Sequence, residues 1–294
     1  QALIMKKKII IVTGGAGFIG SNLIENLLVK TKNDIISLDN YSSGSTINHI
    51  KSKRVRYIKN NTKNFNKIFS KIKNRIKIVF HFGEFSRIAQ SFKNKDNVFD
   101  SNIIGSYHVI KFCLDNKIKI IYSATSASFG NKMSDQHLSP YAFTKTKNLH
   151  MILNFHNWFG LKYEIIYFYN VYGPREIKNH KMAAVIGIFR YCKENNLSLP
   201  VVRPGTQKRN FTHVKDSVDA CIHAMKFNKN SQYSISFDKS YSILQIAKFF
   251  KHKYKLVPFR RGERFKSSII SKLHGKKIIN LKASIDLKNY IKTL

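Results

Sequence analysis

The sequence predicts an α/β fold: a doubly wound parallel sheet with a smaller C-terminal lobe closing over it. Two observations carry the prediction. From Lys8 to Tyr169, short runs rich in Ile, Val and Phe alternate with amphipathic helical stretches, the rhythm of βαβ units. Those runs barely alternate with polar residues, as suits strands covered on both faces. After Tyr169 the rhythm breaks, which marks off the lobe.

In chain order, the first strand spans Lys8–Thr13 and runs through a glycine turn into a helix over Phe18–Lys30. Strands follow at Asp34–Leu38 and Val55–Ile58, a helix at Thr62–Lys73, and a strand at Ile76–Phe82. The longest amphipathic stretch, Asn97–Asn116, precedes the strand Ile118–Ser123. Ser139-Pro140 opens the next helix, Tyr141–Trp158, because proline suits the first helical turn, and Tyr163–Tyr169 is the sixth strand. From Gly173 to Phe211 loops surround one helix, Met182–Lys193; Lys215–Phe227 is helical, and short mixed elements fill the remainder. The division is therefore residues 5–172, joined by about 213–240, as the larger body, with 173–212 and 241–294 as the lobe.

The chain has 294 residues with 52 Lys+Arg against 16 Asp+Glu, a net charge of +36, and 43% hydrophobic residues. That apolar content is enough for a sizeable core and excludes a disordered or fibrous chain. Cys113, Cys192 and Cys221 lack the spacing of a zinc site, so neither a metal centre nor a disulfide framework is expected. The apolar runs are too short and too charged to cross a membrane. The start lacks a signal peptide's apolar core and cleavage site, and Met5 reads as a native start preceded by four extra residues. A cytoplasmic location is expected. The positive charge raises nucleic acid as a partner, but Lys, Ile and Asn are abundant throughout and no nucleic-acid-binding motif gathers the basic residues. Compositional drift is the preferred explanation, with no specific nucleic acid expected. The electropositive surface still suits a small anionic substrate.

The glycines at 14, 17 and 20 fall between the first strand and its helix. There a tight turn and a helix N-terminus meet a pyrophosphate. Asp39 ends the second strand, where a carboxylate accepts hydrogen bonds from a ribose diol and repels a 2′-phosphate, favouring NAD over NADP. The larger body thus reads as a Rossmann-type NAD-binding domain. A second constellation is Tyr141 with Lys145 at i and i+4, on one helical face. An ammonium one turn from a phenol favours phenolate, as a general base requires. Thr125, on the core strand's carboxyl end, stands where parallel sheets place ligands, and its hydroxyl can share a substrate proton with Tyr141.

These residues resemble the extended short-chain dehydrogenase/reductase family, specifically nucleotide-sugar epimerases of the UDP-glucose 4-epimerase type. The resemblance runs from Lys8 onward through the glycine triplet, Asp39-Asn40-Tyr41-Ser42-Ser43-Gly44, His81-Phe82-Gly83 and the Thr125 strand closed by Phe129-Gly130. It continues through Ser139-Pro140-Tyr141 with Lys145, Asn170-Val171-Tyr172-Gly173-Pro174-Arg175, Arg209-Asn210-Phe211-Thr212-His213-Val214, and Arg260-Arg261-Gly262-Glu263. It implies catalysis by Tyr141, Lys145 and Thr125. It also implies a cofactor site of Gly14, Gly17, Phe18, Ile19, Gly20, Asp39, Asn40, Ser43, Gly44, Asn61, Thr62, Phe82 and Gly83, completed by Tyr141 and Lys145. Asn170, Arg209 and Arg260 would hold the diphosphate end of a nucleoside-diphosphate sugar, with Thr125 at the sugar and Ser267 bounding the space around its C2 substituent. The implied reaction inverts C4 through a 4-keto sugar, on a UDP-hexose or UDP-N-acetylhexosamine.

Several residues depart from the pattern. Relatives that dehydrate or decarboxylate their sugar carry a carboxylate two positions after the strand-end Thr; here Ser126 and Ala127 come after Thr125. The third strand leads to Asn60-Asn61-Thr62 in place of an adenine-binding Asp. Glu84 replaces a small residue, with contact to a ribose or sugar and a structural role both open. The Thr125 to Tyr141 segment is short. Two alternatives stay open: a nucleotide-sugar reductase or dehydrogenase using the same Tyr and Lys, and a basic nucleic-acid-associated protein on the same scaffold. Helices Asn97–Asn116 and Tyr141–Trp158 resemble a dimer-forming pair, so a homodimer is expected.

Overall fold

The computed structural model describes residues 7–129, 137–262, 272–273 and 276–294. Six parallel strands match the sequence rhythm: β1 (Ile9–Thr13), β2 (Asp34–Asp39), β3 (Val55–Lys59), β4 (Ile76–His81), β5 (Lys119–Thr125) and β6 (Tyr163–Phe168). They run in the order β6-β5-β4-β1-β2-β3 within a nine-stranded sheet. Gln232–Ser236 pairs parallel with β6, Lys276–Lys282 parallel with that strand, and Lys272–Leu273 antiparallel at the edge. Side chains alternate across a strand. Ile9 and Ile11 of β1 accordingly join Phe65, Phe112, Leu149 and Ile152 on one face, while Ile10 and Val12 join Leu23, Leu27, Val218 and Ile235 on the other. With both faces buried, a continuous apolar run is what the strand requires.

Three details depart from the sequence expectations. Lys276–Lys282 belongs to the central sheet, although the sequence division put residues 241–294 in the lobe; the charged pattern of Lys276, Lys277 and Lys282 hides a strand of which Ile278 is the buried anchor. The stretch expected as one helix over Asn97–Asn116 is α-helical at Lys95–Phe99 and Ser106–Asp115 but widens to a π-helix at Asp100–Gly105. The stretch Thr62–Lys73 is α-helical only at Phe65–Phe69, with 3₁₀ turns on either side.

The smaller lobe has its own core of Phe189, Leu199, Val201, Phe211, Tyr241, Ile246 and Phe250. It is built from the helix Val185–Glu194, paired strands Leu199–Val202 and Tyr254–Val257, paired strands Lys208–Asn210 and Ser240–Ser242, and the helix Ile243–Phe249. That helix starts on a capping box of Ser242 and Gln245. Asp216, on the helix Val214–Lys226, accepts hydrogen bonds from Ser284 Oγ at 2.8 Å and the Ile285 amide at 3.1 Å, tying the C-terminal segment back to the sheet. Among the described residues no helix is long and apolar enough to cross a membrane, and all three cysteines are free and buried.

Candidate active site

β1 ends at Thr13, and the chain turns at once through Gly14, whose φ of +72° lies in the left-handed region that disfavours a side chain. At Gly20 a Cβ would stand 2.2 Å from the Gly14 carbonyl oxygen, so the helix α1 (Phe18–Lys30) lies against the turn only because that side chain is missing. α1 begins after Gly17, which offers no side-chain cap, and its unpaired N–H groups remain for a ligand. Gly14, Gly17, Phe18, Ile19 and Gly20 all line one cleft of about 1310 Å³ that runs over the carboxyl ends of the strands into the lobe. That volume exceeds what a single drug-sized ligand needs. Gly20→Ala is expected to weaken retention of NAD through an overpacking cost of about 1–3 kcal/mol. The NAD content of the purified protein, followed by calorimetric titration with NAD, measures it.

Asp39 closes this half of the cleft. Its carboxylate accepts the Ala16 amide at 3.0 Å and the Tyr41 amide at 2.8 Å, one on each oxygen, and each oxygen keeps a second lone pair. Burial raises its pKa despite these bonds. Gly44 is away from the cleft lining but sits against Asp39, where a Cβ would come within 3.0 Å of both carboxylate oxygens. Asn40 donates to Asn61 at 3.0 Å, and Asn61, Thr62, Ser43, Phe82 and Gly83 also reach the cleft. The glycine cradle, open helix end and buried acid fit the adenosine and diphosphate portions of NAD.

The catalytic candidates meet at the other end. Ser139 caps the helix Pro140–Phe159 by accepting the Ala142 amide at 3.1 Å, with Pro140 in its first turn. One turn apart, Tyr141 is half-buried and Lys145 buried, and both line the cleft with Thr125. Thr125 Oγ1 accepts the Ala127 amide at 3.2 Å, leaving its O–H to donate. Lys145, however, is not alone beside the phenol. Its ammonium forms an ion pair with Glu84, donates to the Ser123 carbonyl, and lies 4.4 Å from the Tyr122 ring centroid. The two charged side chains are only 5% and 3% exposed.

Glu84 is held on every side. Ser106 Oγ, Tyr122 Oη and Asn148 Nδ2 donate to its Oε1 at 2.8, 3.0 and 2.7 Å. Burial works to raise its pKa, but the Lys145 charge and the bonds from Lys145 and Ser106 outweigh it and hold the carboxyl below its usual range. Behind Ser106, His81 bridges to Thr13 through contacts of 2.8 Å on each ring nitrogen. Since Ser106 gives its proton to Glu84, it accepts from His81 Nε2–H, and Nδ1 takes the Thr13 proton; Thr13 Oγ1 in turn receives the Phe82 and Gly83 amides. This chain needs a neutral imidazole, and burial pushes the His81 pKa down to about 4. The π-helix adds one member: Asn102 accepts the Phe85 amide at 2.6 Å and donates to the Phe85 carbonyl and Thr144, fixing the loop that carries Glu84.

On the lobe side, Asn170 takes a φ of +34° and donates to the Asn210 carbonyl at 2.8 Å. Arg209 is buried in the strand Lys208–Asn210, and Arg260 is exposed at the rim; both line the cleft. Arg261, next to it, lies over the Phe92 ring at 4.6 Å. Ser267 lies outside the described residues, as do Gly130 and Glu263. Two cleft residues had no signal in the sequence motifs. Arg87 faces Tyr141 and Glu176, whose charges raise its pKa against the larger lowering by burial, and Glu176 accepts the Gly187 amide at 3.1 Å.

Glu176 is 6% exposed, and burial raises its pKa to about 7 against bonds from Gly173 and Gly187 and the charges of Arg87 and Arg190. A carboxyl raised from 4.5 favours the fold most while protonated; its contribution is full below pH 4.5 and is lost as pH rises to 7. Relative to Glu176→Gln, the wild type should therefore lose on the order of 3 kcal/mol between pH 4.5 and 7. Urea unfolding of both proteins at pH 5 and pH 8 checks this.

The profile of the NAD dependent epimerase/dehydratase family matches residues 10–236. A dTDP-D-glucose 4,6-dehydratase of Dictyostelium discoideum is 28% identical over 81% of this chain, which spans 60% of that protein's length. A UDP-N-acetyl-alpha-D-glucosaminuronate decarboxylase of Bacillus cytotoxicus is 30% identical over 83% of the chain and 79% of its own. Among solved structures, a UDP-N-acetylglucosamine 4-epimerase from Methanobrevibacter ruminantium in complex with UDP-N-acetylmuramic acid superposes with a TM-score of 0.81 at 28% identity, covering 90% of this chain and 89% of that one.

Proposed function

Since the chain belongs to the NAD-dependent epimerase/dehydratase family, we propose that within it this protein is a 4-epimerase of a nucleoside-diphosphate sugar, most directly a UDP-hexose or UDP-N-acetylhexosamine. Relatives in the family dehydrate, decarboxylate or epimerise, so the reading rests on the two residues after Thr125. Ser126 and Ala127, each 3% exposed, close β5 in a 3₁₀ turn with no carboxylate. The carboxylates lining the cleft among the described residues are Asp39, Glu84, Asp100 and Glu176; of these Glu84 is saturated by four donors. Chemistry at C5 or C6 of the sugar has no acid after the strand-end Thr to serve it, whereas inversion at C4 needs only a base at O4.

NAD, when bound, supplies a hydride acceptor that returns the hydride, leaving no net redox change. Tyr141 takes the proton from the sugar 4-hydroxyl and gives it back to the inverted alkoxide. Thr125 orients that oxygen by donating its hydroxyl hydrogen. Arg209 and Arg260 pair with the diphosphate, a use suited to the guanidinium fork, and Asn170 stands beside them. The tethered sugar can then present either face at C4.

Incubation with a panel of UDP, GDP and dTDP sugars, with product stereochemistry read by NMR, tests the reading. Epimerisation without added NAD(P)H is expected; products lacking the C6 hydroxyl or the C6 carboxyl carbon would reject it, and stoichiometric consumption of NAD(P)H would assign a reductase instead. Two copies are proposed to associate through the segment Lys95–Asp115 and the helix Pro140–Phe159, which expose Phe99, Ile104, Tyr107, Trp158 and Phe159; light scattering reads the mass.

A further inference from the structure

We propose that Glu84 is a positioning residue that cancels the charge of Lys145 beside Tyr141, so that proton abstraction by the phenol is governed by a neutral ion pair and not by a lone ammonium. The inference rests on the epimerase reading for Tyr141 as the base. Its ground is geometric. Lys145 and Tyr141 share one helix face and one cleft, and Glu84 is in direct contact with the ammonium, both charges buried. Two of the three Lys145 N–H groups are spent on Glu84 and the Ser123 carbonyl, leaving one for a ligand hydroxyl. An ammonium acts on a neighbouring phenol through its field, and a carboxylate in contact with it removes most of that field.

Of the remaining titratable groups, those in contact with the pair add no charge, and Arg87 is a further cation that faces the phenol. His81 is neutral, with its pKa at about 4. Tyr122 donates to Glu84 and stays protonated, since burial and the Glu84 charge push its pKa well up. Ser106 and Asn148 are uncharged donors. Arg87 faces Tyr141 from the loop after β4, but it also faces Glu176. Arg87 is the same in every variant, so its field on the phenol is a constant background against which changes at Glu84 and Lys145 are read.

The experiment is a charge cycle read by tyrosinate difference absorbance. Each protein, with and without saturating NAD, is compared with the same protein carrying Tyr141→Phe, so that only this phenol is followed. Glu84→Gln should lower the phenolate midpoint by about one pH unit or more, and Lys145→Met should raise it. The double variant E84Q/K145M should return to the wild-type midpoint. An unchanged midpoint in Glu84→Gln, or a double variant that tracks Lys145→Met, overturns the proposal. Should either single variant fail to fold, the double variant decides, because it buries no unpaired charge. No turnover is needed. Failure of the sugar panel therefore rejects the epimerase reading alone, and sugar epimerisation with a flat cycle rejects this inference alone.

Discussion

Tyr141→Phe is expected to lower kcat by about 10²–10⁴-fold while nucleotide-sugar affinity, read by calorimetry, stays within a few-fold of wild type. The aromatic ring remains to fill its half-buried place at the start of the helix Pro140–Phe159, and the diphosphate contacts proposed for Arg209 and Arg260 lie in the lobe. What disappears is the phenolic oxygen proposed to carry the sugar proton. A variant with kcat near wild type would move the base to another group.

Lys145→Met should be the most destabilising single change at the site. Removing one partner of a buried ion pair leaves the other as an uncompensated charge, which costs about 3–5 kcal/mol. Glu84 would keep Ser106, Tyr122 and Asn148 but lose its counter-ion at 3% exposure. Urea unfolding at pH 7 should show the loss, and E84Q/K145M should recover most of it, because a neutral pair of similar shape leaves no charge to solvate. A Lys145→Met protein as stable as wild type would mean that water reaches Glu84.

The two predictions differ in how far the sequence could have led to them. Tyr141 and Lys145 are four residues apart, and Ser139-Pro140 fixes the helix they share, so their common face was readable from spacing. So were β1 and its glycine turn, because a strand buried on both faces shows as an unbroken apolar run and Gly20 allows no substitute. Glu84 was visible only as a departure. Its partners lie 61, 38, 64 and 22 residues away at Lys145, Tyr122, Asn148 and Ser106, and no local pattern encodes such contacts. The π-helix was hidden for a related reason: Asp100–Gly105 keeps helical amphipathicity, and only the insertion of Asn102 under the Phe85 backbone requires the wider turn. Arg87 and Glu176 were lost among the many charges of a chain at +36.

The interleaving of the lobe with the sheet constrains motion. The chain leaves the sheet after β6 for the lobe's first helix, returns for the strand Gln232–Ser236, departs again for Ser240–Ser242, comes back at Lys276–Lys282 and ends with Leu287 and Ile291 seated in the lobe core. With several connections between sheet and lobe, a swing of one against the other would have to bend all of them together. Rocking of the lobe against the sheet is therefore expected to be small, with exposed rim side chains such as Arg260 shifting as a ligand enters.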